Sequence, residues 1–547
     1  MKKILFGILV LAAILRFWNV GTIPAGLTQD EAALGYNAYS ILKTGRDEYG
    51  KFLPIIFKSF GDFKPGLYVY LDVPFVAALG LNEVSTRLPS AVSGVLIVYL
   101  IYLVTKSFFP DHKRLPILTA FVAATNPWLI FLSRGAWEAN ISLTLTLAGI
   151  HFFQKALNKN KYFVLSATFF SLTMITYQGA KLSTGIVVAV LAIIYLKDIL
   201  KFQKRYLFTG IAVGVIISLP IILSLFNGQT GRLNVFSIFS YPRSTEYTQT
   251  FLDEGKEKIG DINYYLFHSE TLNFGRGILG RYFNHFSPRF LFFDGDYQNP
   301  GHSAPYQGML LLGDILFLII GFYIFAKNYK LNQKPSLFII LWLILSPLPA
   351  VLSRDQVQSV RALNMVAPLI IIVSLGLNNF INWVNSKKFS LPLYLFLVGV
   401  YIIGFVYFID AYYVHVPAHN SNYWNYGYKE AVEIVYPMEN KVRKITFEQS
   451  YAQPYIYFLY YTKYNPTNYQ KQCNLANTMN TNDVGMVEML DNISFSSIDW
   501  SILERQKGSL VVISGTTAIP ESLHYNLVRE IKYLNGRDMA FKIIEIQ

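Results

Sequence analysis

The sequence predicts an α-helical polytopic membrane protein with about eleven transmembrane helices and a small C-terminal α/β domain. Three observations predict it. Of the 547 residues, 53% are hydrophobic and only 15% charged, with mean hydropathy +0.33. Soluble domains carry about 25% charged residues. Apolar runs of about 17 to 22 residues recur, long enough to cross a bilayer core of about 30 Å as helices. After about residue 410 the composition becomes more polar, and strand patterns replace the apolar runs.

The expected spans are 4–20, 88–106, 115–131, 139–154, 162–177, 183–197, 207–226, 307–326, 336–352, 363–381 and 391–409. The first follows Met1-Lys2-Lys3 and has no clear small-residue cleavage site, so it reads as a retained span. The connecting segments alternate in character. One set holds Lys2 and Lys3; Lys106, Lys113 and Arg114; Lys155, Lys159 and Lys161; Lys197, Lys201, Lys204 and Arg205; Lys327, Lys330 and Lys334; Lys387 and Lys388. The other holds the long loop 21–87, Ser133 to Asn140, Tyr177 to Lys181, the loop 227–306, Ser353 to Asn364 and the tail. Cytoplasmic loops carry excess Lys and Arg, which puts the first set and the N-terminus inside. The net charge of +13 is explained by these loops and does not require nucleic acid.

Residues 66–80 are apolar but short for a span, and they contain Asp72. Reading them as a span would invert every later loop. They are expected to form a helix along the outer surface or packed on the bundle. In the tail, a helix is expected at Tyr428 to Val435. Strands are expected at Val442 to Phe447, at Leu510 to Ser514, and at Leu527 to Leu534 paired with Ala540 to Ile546 across Asn535-Gly536. The division is thus 1–409 in the membrane and an α/β domain of residues 410–547 outside it. The single cysteine, Cys473, excludes an internal disulfide.

The residues that can carry chemistry lie on the outer set of loops. Asp30-Glu31 stands just beyond the first span. A carboxylate there can take a proton from an attacking hydroxyl, and the same pair can cap a surface helix, with Asp30 near the cap. Lys64, before Pro65, suits a phosphate as a compact charge and equally suits an interfacial anchor. Arg87 opens the next span as an anchor or a phosphate ligand. Arg134 and Glu138 are four apart, so on one helix they would share a face and pair; alternatively Arg134 serves a phosphate. Lys181 is an anchor candidate in a short turn. In the loop 227–306, His302 is a candidate for substrate or a metal, but no His/Cys spacing supports a metal site, and a lone loop histidine can simply hydrogen-bond. Arg361 begins the tenth span as a phosphate candidate. Span interiors are almost without charge, Asp314 excepted, whereas ion-coupled carriers place ionisable groups along a membrane pathway. A flippase or transporter of lipid-linked sugars is the alternative from a different class. A non-catalytic scaffold is the third reading, and it requires Asp30 and Lys64 to lie far apart.

The order Asp30-Glu31, Lys64-Pro65-Gly66-Leu67-Tyr68, Arg87-Leu88-Pro89-Ser90 and, more loosely, Arg134 with Glu138 resembles the membrane glycosyltransferases of the C-type (GT-C) fold. The resemblance is to the protein O-mannosyltransferases and the bacterial aminoarabinose and lipopolysaccharide-core sugar transferases. It implies an inverting, mannosyltransferase-like hexosyl or pentosyl transfer at the plasma membrane. The implied donor is a polyprenyl-phosphate sugar; the acceptor, a glycan, lipid or protein, stays open. It implies a catalytic role for Asp30 with Glu31 beside it. It places Lys64 near the donor phosphate; the shared outer face adds Arg134 or Arg361 as further phosphate candidates and Glu138 and His302 as substrate-binding candidates. Relatives often have Glu immediately before the Lys-Pro, in some of them toward a metal. Here Phe63 stands there, so no metal or other cofactor is expected.

Overall fold

The computed structural model describes residues 1–60, 62–226, 237–240, 242–328, 333–387, 390–449, 452–472 and 487–547. Lys330, Lys388 and Cys473 lie outside the described residues.

Ten helices among the described residues build the stretch up to Phe226: α1 (Lys2–Phe17), α2 (Gln29–Thr44), α3 (Leu67–Leu79), α4 (Glu83–Phe108), α5 (Leu115–Thr125), α6 (Pro127–Ser133), α7 (Glu138–Ala156), α8 (Tyr162–Met174), α9 (Ala180–Ile199) and α10 (Lys204–Phe226). The centre of this stretch is α4, against which α1, α3, α5 and α7 pack. Its start is set by a capping box, with the Asn82 side chain accepting from Ser85 N at 3.0 Å and Ser85 Oγ accepting from Asn82 N at 3.1 Å. Between α5 and α6 the axis bends by 56°. Pro127 cannot donate its backbone nitrogen there, and Asn126 caps the new helix through Leu129 N at 3.0 Å.

Six helices among the described residues are long and apolar enough to cross a membrane, or seven if α5 and α6 form one broken span. The expectation of eleven is not confirmed. Each expected stretch overlaps a helix, but α1, α8 and Asp314–Asn328 have only 16, 13 and 15 residues. The 19-residue α7 is diluted by Asn140, Ser142, Thr144, Thr146 and His151. Asp314 is not inside a helix. It begins one, accepting from Leu311 N at 3.2 Å and Tyr401 Oη at 2.8 Å. The 13-residue α3 packs on α2 and α4, as expected for residues 66–80.

Two strands, β1 (Ile56–Ser59) and β2 (Asp62–Pro65), form an antiparallel hairpin ahead of α3. The C-terminal region holds six more: β3 (Ile445–Glu448), β4 (Met489–Leu490), β5 (Ile493–Ser496), β6 (Leu510–Ser514), β7 (Tyr525–Lys532) and β8 (Met539–Ile546). Their order is β4-β5-β3-β6-β8-β7, with β5, β3 and β6 parallel and the other pairs antiparallel. Side chains alternate across the sheet. Leu510 and Val512 join a core with Phe447, Phe495, the helix Pro454–Tyr461 and α2, while Val511 and Ile513 face Leu503 and Ile544 on the other side. The helix Tyr428–Val435 coincides with the expected one. The hairpin around Asn535-Gly536 forms as expected. The expectation lacked β1, β2, β4 and β5, all of four residues or fewer.

Candidate functional site

The first turn of α2 separates the two acids. Thr28 is the N-cap, not Asp30: Glu31 N donates to Thr28 Oγ1 at 3.2 Å and Thr28 N donates to Glu31 Oε2 at 3.0 Å. The buried Glu31 also accepts from Ala136 N at 2.9 Å and from Arg87 Nε at 2.9 Å. Arg87, fully buried in the opening turns of α4, donates its remaining N–H groups to the carbonyls of Val20, Pro24 and Gly26 and to Glu31 Oε2. Both polar ends of this pair are thereby matched to protein groups.

Asp30, one residue earlier, points elsewhere. Its carboxylate pairs with the Lys64 ammonium; the side chains are 50% and 14% exposed. Lys64 is carried by β2 opposite Phe57 and lies 5.5 Å from the centroid of the buried Phe60 ring. The pair is thus open to solvent from the Asp30 side and backed by aromatic surface on the Lys64 side.

The turn between α8 and α9 is fastened to this hairpin. Gln178 Nε2 donates to Phe63 O at 2.6 Å, and Leu67 N donates to Ile175 O at 3.0 Å. In the same turn, burial pushes the Tyr177 phenol up to about 12; Arg361, which hydrogen-bonds it, pulls it down, and Glu138 pushes it up. Arg361 also lies 3.4 Å from Asp355. The turn therefore meets the Lys64 hairpin through Gln178 and meets Arg361 through Tyr177, with Glu138 close enough to act on the same phenol. Glu138 begins α7, and the preceding Trp137 meets His302 edge-on at 5.1 Å. His302 Nδ1 stands 3.5 Å from the buried Asp296.

Arg134 is placed differently. It is fully buried, with Nε on Tyr412 Oη at 3.0 Å and its other nitrogens on the carbonyls of Leu15 and Ile23 at 3.0 and 3.2 Å. It sits over the rings of Tyr412 and Tyr413. This guanidinium clamps the end of α1. The expected alternative, an Arg134–Glu138 pair on one helix, does not form, because α6 ends at Ser133 and α7 starts at Glu138.

Sequence reasoning missed Glu48, which is buried behind Lys64. Asn37 Nδ2 donates to it at 3.2 Å, and Glu48 N donates back to Asn37 Oδ1 at 3.0 Å. Burial raises its carboxyl to about 8; Asn37 and Lys64 oppose the rise and Asp47 adds to it. The native state thus keeps a proton that the unfolded chain, near 4.5, has lost. Between those values stability falls as pH rises, by up to about 1.4 kcal/mol per pH unit. Glu48→Gln removes this slope. In detergent, the unfolding midpoint of wild type relative to Glu48→Gln is expected to drop from pH 5 to pH 8; a constant difference would contradict the assignment.

Among the described residues, no three His, Cys, Asp or Glu side chains gather as a metal site. An apolar groove of about 540 Å³ runs between α8, α9 and α10, lined by Phe163, Phe170, Met174, Thr184, Val188 and Ile211 among others. Met174 and Thr184 flank the turn that carries Tyr177 and Gln178.

A family model described as dolichyl-phosphate-mannose-protein mannosyltransferase matches residues 64–223. That range includes Lys64, Arg87, Arg134 and Glu138; Asp30, His302 and Arg361 lie outside it. By structure, the chain is similar to ArnT from Cupriavidus metallidurans bound to undecaprenyl phosphate: TM-score 0.55, 12% identity, 98% of this chain and 97% of that one. The apo form of that protein matches with TM-score 0.55 and 12% identity over 99% and 98% of the chains. The oligosaccharyltransferase of Archaeoglobus fulgidus, tethered with an acceptor peptide, gives TM-score 0.50 and 13% identity over 84% of this chain and 62% of that one. No curated protein matches by sequence. The chain has the GT-C fold and is a multi-pass membrane protein, as the resemblance implied. The matches support glycosyltransferase activity.

Proposed function

We propose that this chain is an inverting glycosyltransferase that moves a sugar from a polyprenyl-phosphate donor to an acceptor at the outer face of a plasma membrane. The observation that carries the reading is the Asp30–Lys64 pair, joined through the Tyr177–Gln178 turn to Glu138 and Arg361. In this reading Lys64 moves from Asp30 to the incoming phosphate, with Arg361 as the second cation. The released Asp30 carboxylate then takes the acceptor proton. The acceptor oxygen bonds to the anomeric carbon from the side opposite the phosphate. The sugar–phosphate bond breaks, and polyprenyl phosphate leaves with the electron pair. Cations fixed in a partly dry site stabilise that leaving charge.

Glu138 and His302 are assigned to the sugar side, next to Tyr177 and Trp137. Arg87 and Arg134 act as positioning residues, since their nitrogens already meet protein acceptors. The apolar groove, ending at the Tyr177 turn, takes the polyprenyl chain. Residues 1–409 form the transferase domain and 410–547 the outer domain, with the N-terminus cytoplasmic by the lysine distribution. ArnT bound to undecaprenyl phosphate supports the donor class.

The test is transfer in proteoliposomes supplied with polyprenyl-phosphate sugars and a membrane extract as acceptor. Lys64→Met is expected to raise the donor KM about 10- to 100-fold, the loss of one charge-assisted bond of roughly 1.5–3 kcal/mol. An unchanged donor KM would remove Lys64 from the phosphate site. Translocation of donor without transfer would favour the flippase.

A further inference from the structure

We infer that the C-terminal sheet holds a binding crevice for the acceptor at the carboxyl ends of β3 and β5, and that it takes a neutral, hydroxyl-rich glycan. The inference rests on the assignment of Asp30 as the base and names the acceptor side of that site.

The topology marks the place. The strands β5 and β6 flank β3 on opposite sides, and all three run parallel. The chain leaving β3 forms the helix Pro454–Tyr461 on one face, where Phe458 packs on Phe447 and Phe495. The chain leaving β5 forms the short helix Trp500–Leu503 on the other face, with Val511, Ile513 and Ile544. Neighbouring parallel strands whose connections leave to opposite faces open a crevice at their carboxyl ends, where ligands of such sheets bind.

The groups at those ends are Glu448, the last residue of β3, with Gln449 after it, Ser496, the last of β5, with Ser497 after it, and Thr516 and Thr517 after β6. Glu448 is the one carboxylate among them. It accepts from Ser514 N at 2.6 Å and Thr517 Oγ1 at 2.8 Å, so its charge is held within the protein. Gly515 lets that turn press against β8, since a Cβ there would lie 2.0 Å from Met539 O. Among the described residues named at these ends, the groups other than Glu448 are amide and hydroxyl, suited to sugar hydroxyls, while Asp499, three residues beyond β5, accepts from Ser501 N at 3.0 Å and Ser501 Oγ at 2.6 Å.

The crevice is tied to the reacting end. Gln449 Nε2 donates to Gln453 Oε1 at 3.3 Å, and Gln453 N donates to Gln29 Oε1 at 3.1 Å. Gln29 is the residue before Asp30 and the first of α2. A glycan held at the sheet edge thus meets the chain segment that carries the proposed base.

The test uses the full chain in nanodiscs and three probes: mannotriose, maltotriose and chitotriose. Saturation-transfer NMR is expected to detect at least one of them at millimolar concentration in wild type and equally in Asp30→Asn. Ser496→Trp, at an exposed strand end, and Gln449→Ala are each expected to weaken that binding at least about tenfold, with the unfolding midpoint unchanged. Binding that survives both substitutions would overturn the crevice; no binding of any trisaccharide would overturn the glycan class. Failure of the underlying transferase reading looks different, namely trisaccharide bound normally and transfer unaffected in Asp30→Asn.

Discussion

Asp30→Asn is expected to lower the turnover of sugar transfer by about 10²- to 10⁴-fold, the usual worth of a positioned general base, in a protein that folds normally. The structure makes the substitution clean. The cap of α2 belongs to Thr28 and Glu31, so the amide disturbs no helix start. The Asp30–Lys64 pair is half open to solvent on the Asp30 side, and pairs of that kind contribute only about 0–1 kcal/mol. Stability should therefore hold while kcat falls. Donor KM should stay within about twofold or improve, because Lys64 no longer has to leave a charged partner. Initial rates at saturating donor in proteoliposomes read the effect. Turnover within tenfold of wild type would remove Asp30 from proton transfer. The neighbouring acid gives the contrast: Glu31→Gln breaks a buried network and should be seen first as lost stability.

How far the site could be read from the sequence depended on distance along the chain. Apolar runs are a local pattern, and each expected stretch overlaps a helix. The Asn535-Gly536 turn between two β-rich runs is equally local, and its hairpin formed. The division of labour between Asp30 and Glu31 was half visible. Thr28-x-x-Glu31 is a capping pattern readable in four residues, yet Glu31's main partner is Arg87, 56 residues on. Arg134 and Glu138 have helical spacing, but the chain breaks between α6 and α7, so the spacing described no face. Glu48 had no signal at all, because its burial depends on Asn37 and on the helix Pro454–Tyr461 from the far end of the chain. The strands missed in the C-terminal sheet have two and four residues, too few to show alternation.

Arg87→Met is expected to destabilise the folded protein by about 3–5 kcal/mol, the cost of leaving one partner of a buried ion pair alone. Its guanidinium serves four groups at once: the Glu31 carboxylate and the carbonyls of Val20, Pro24 and Gly26. It also lies 5.5 Å from the Trp424 ring, which links the entry of α4 to the C-terminal region. Methionine fills much of the volume but donates nothing, so three carbonyls lose a donor and the buried carboxylate loses its counter-charge, keeping only the N–H groups of Thr28 and Ala136. Arg87→Lys should recover little, since one ammonium cannot reproduce the planar fork. Pairing Arg87→Met with Glu31→Gln should cost less than the sum of the single changes, because the second substitution removes the stranded charge. Equilibrium unfolding in mixed micelles, followed for the two single variants and the double variant, measures all three terms. The competing role for Arg87, a ligand of the donor phosphate, makes the opposite forecast. Under it, Arg87→Met would leave the unfolding curve in place and raise the donor KM. Additive single effects with no change in donor KM would argue against both roles and would mean that Glu31 and Arg87 act independently of each other.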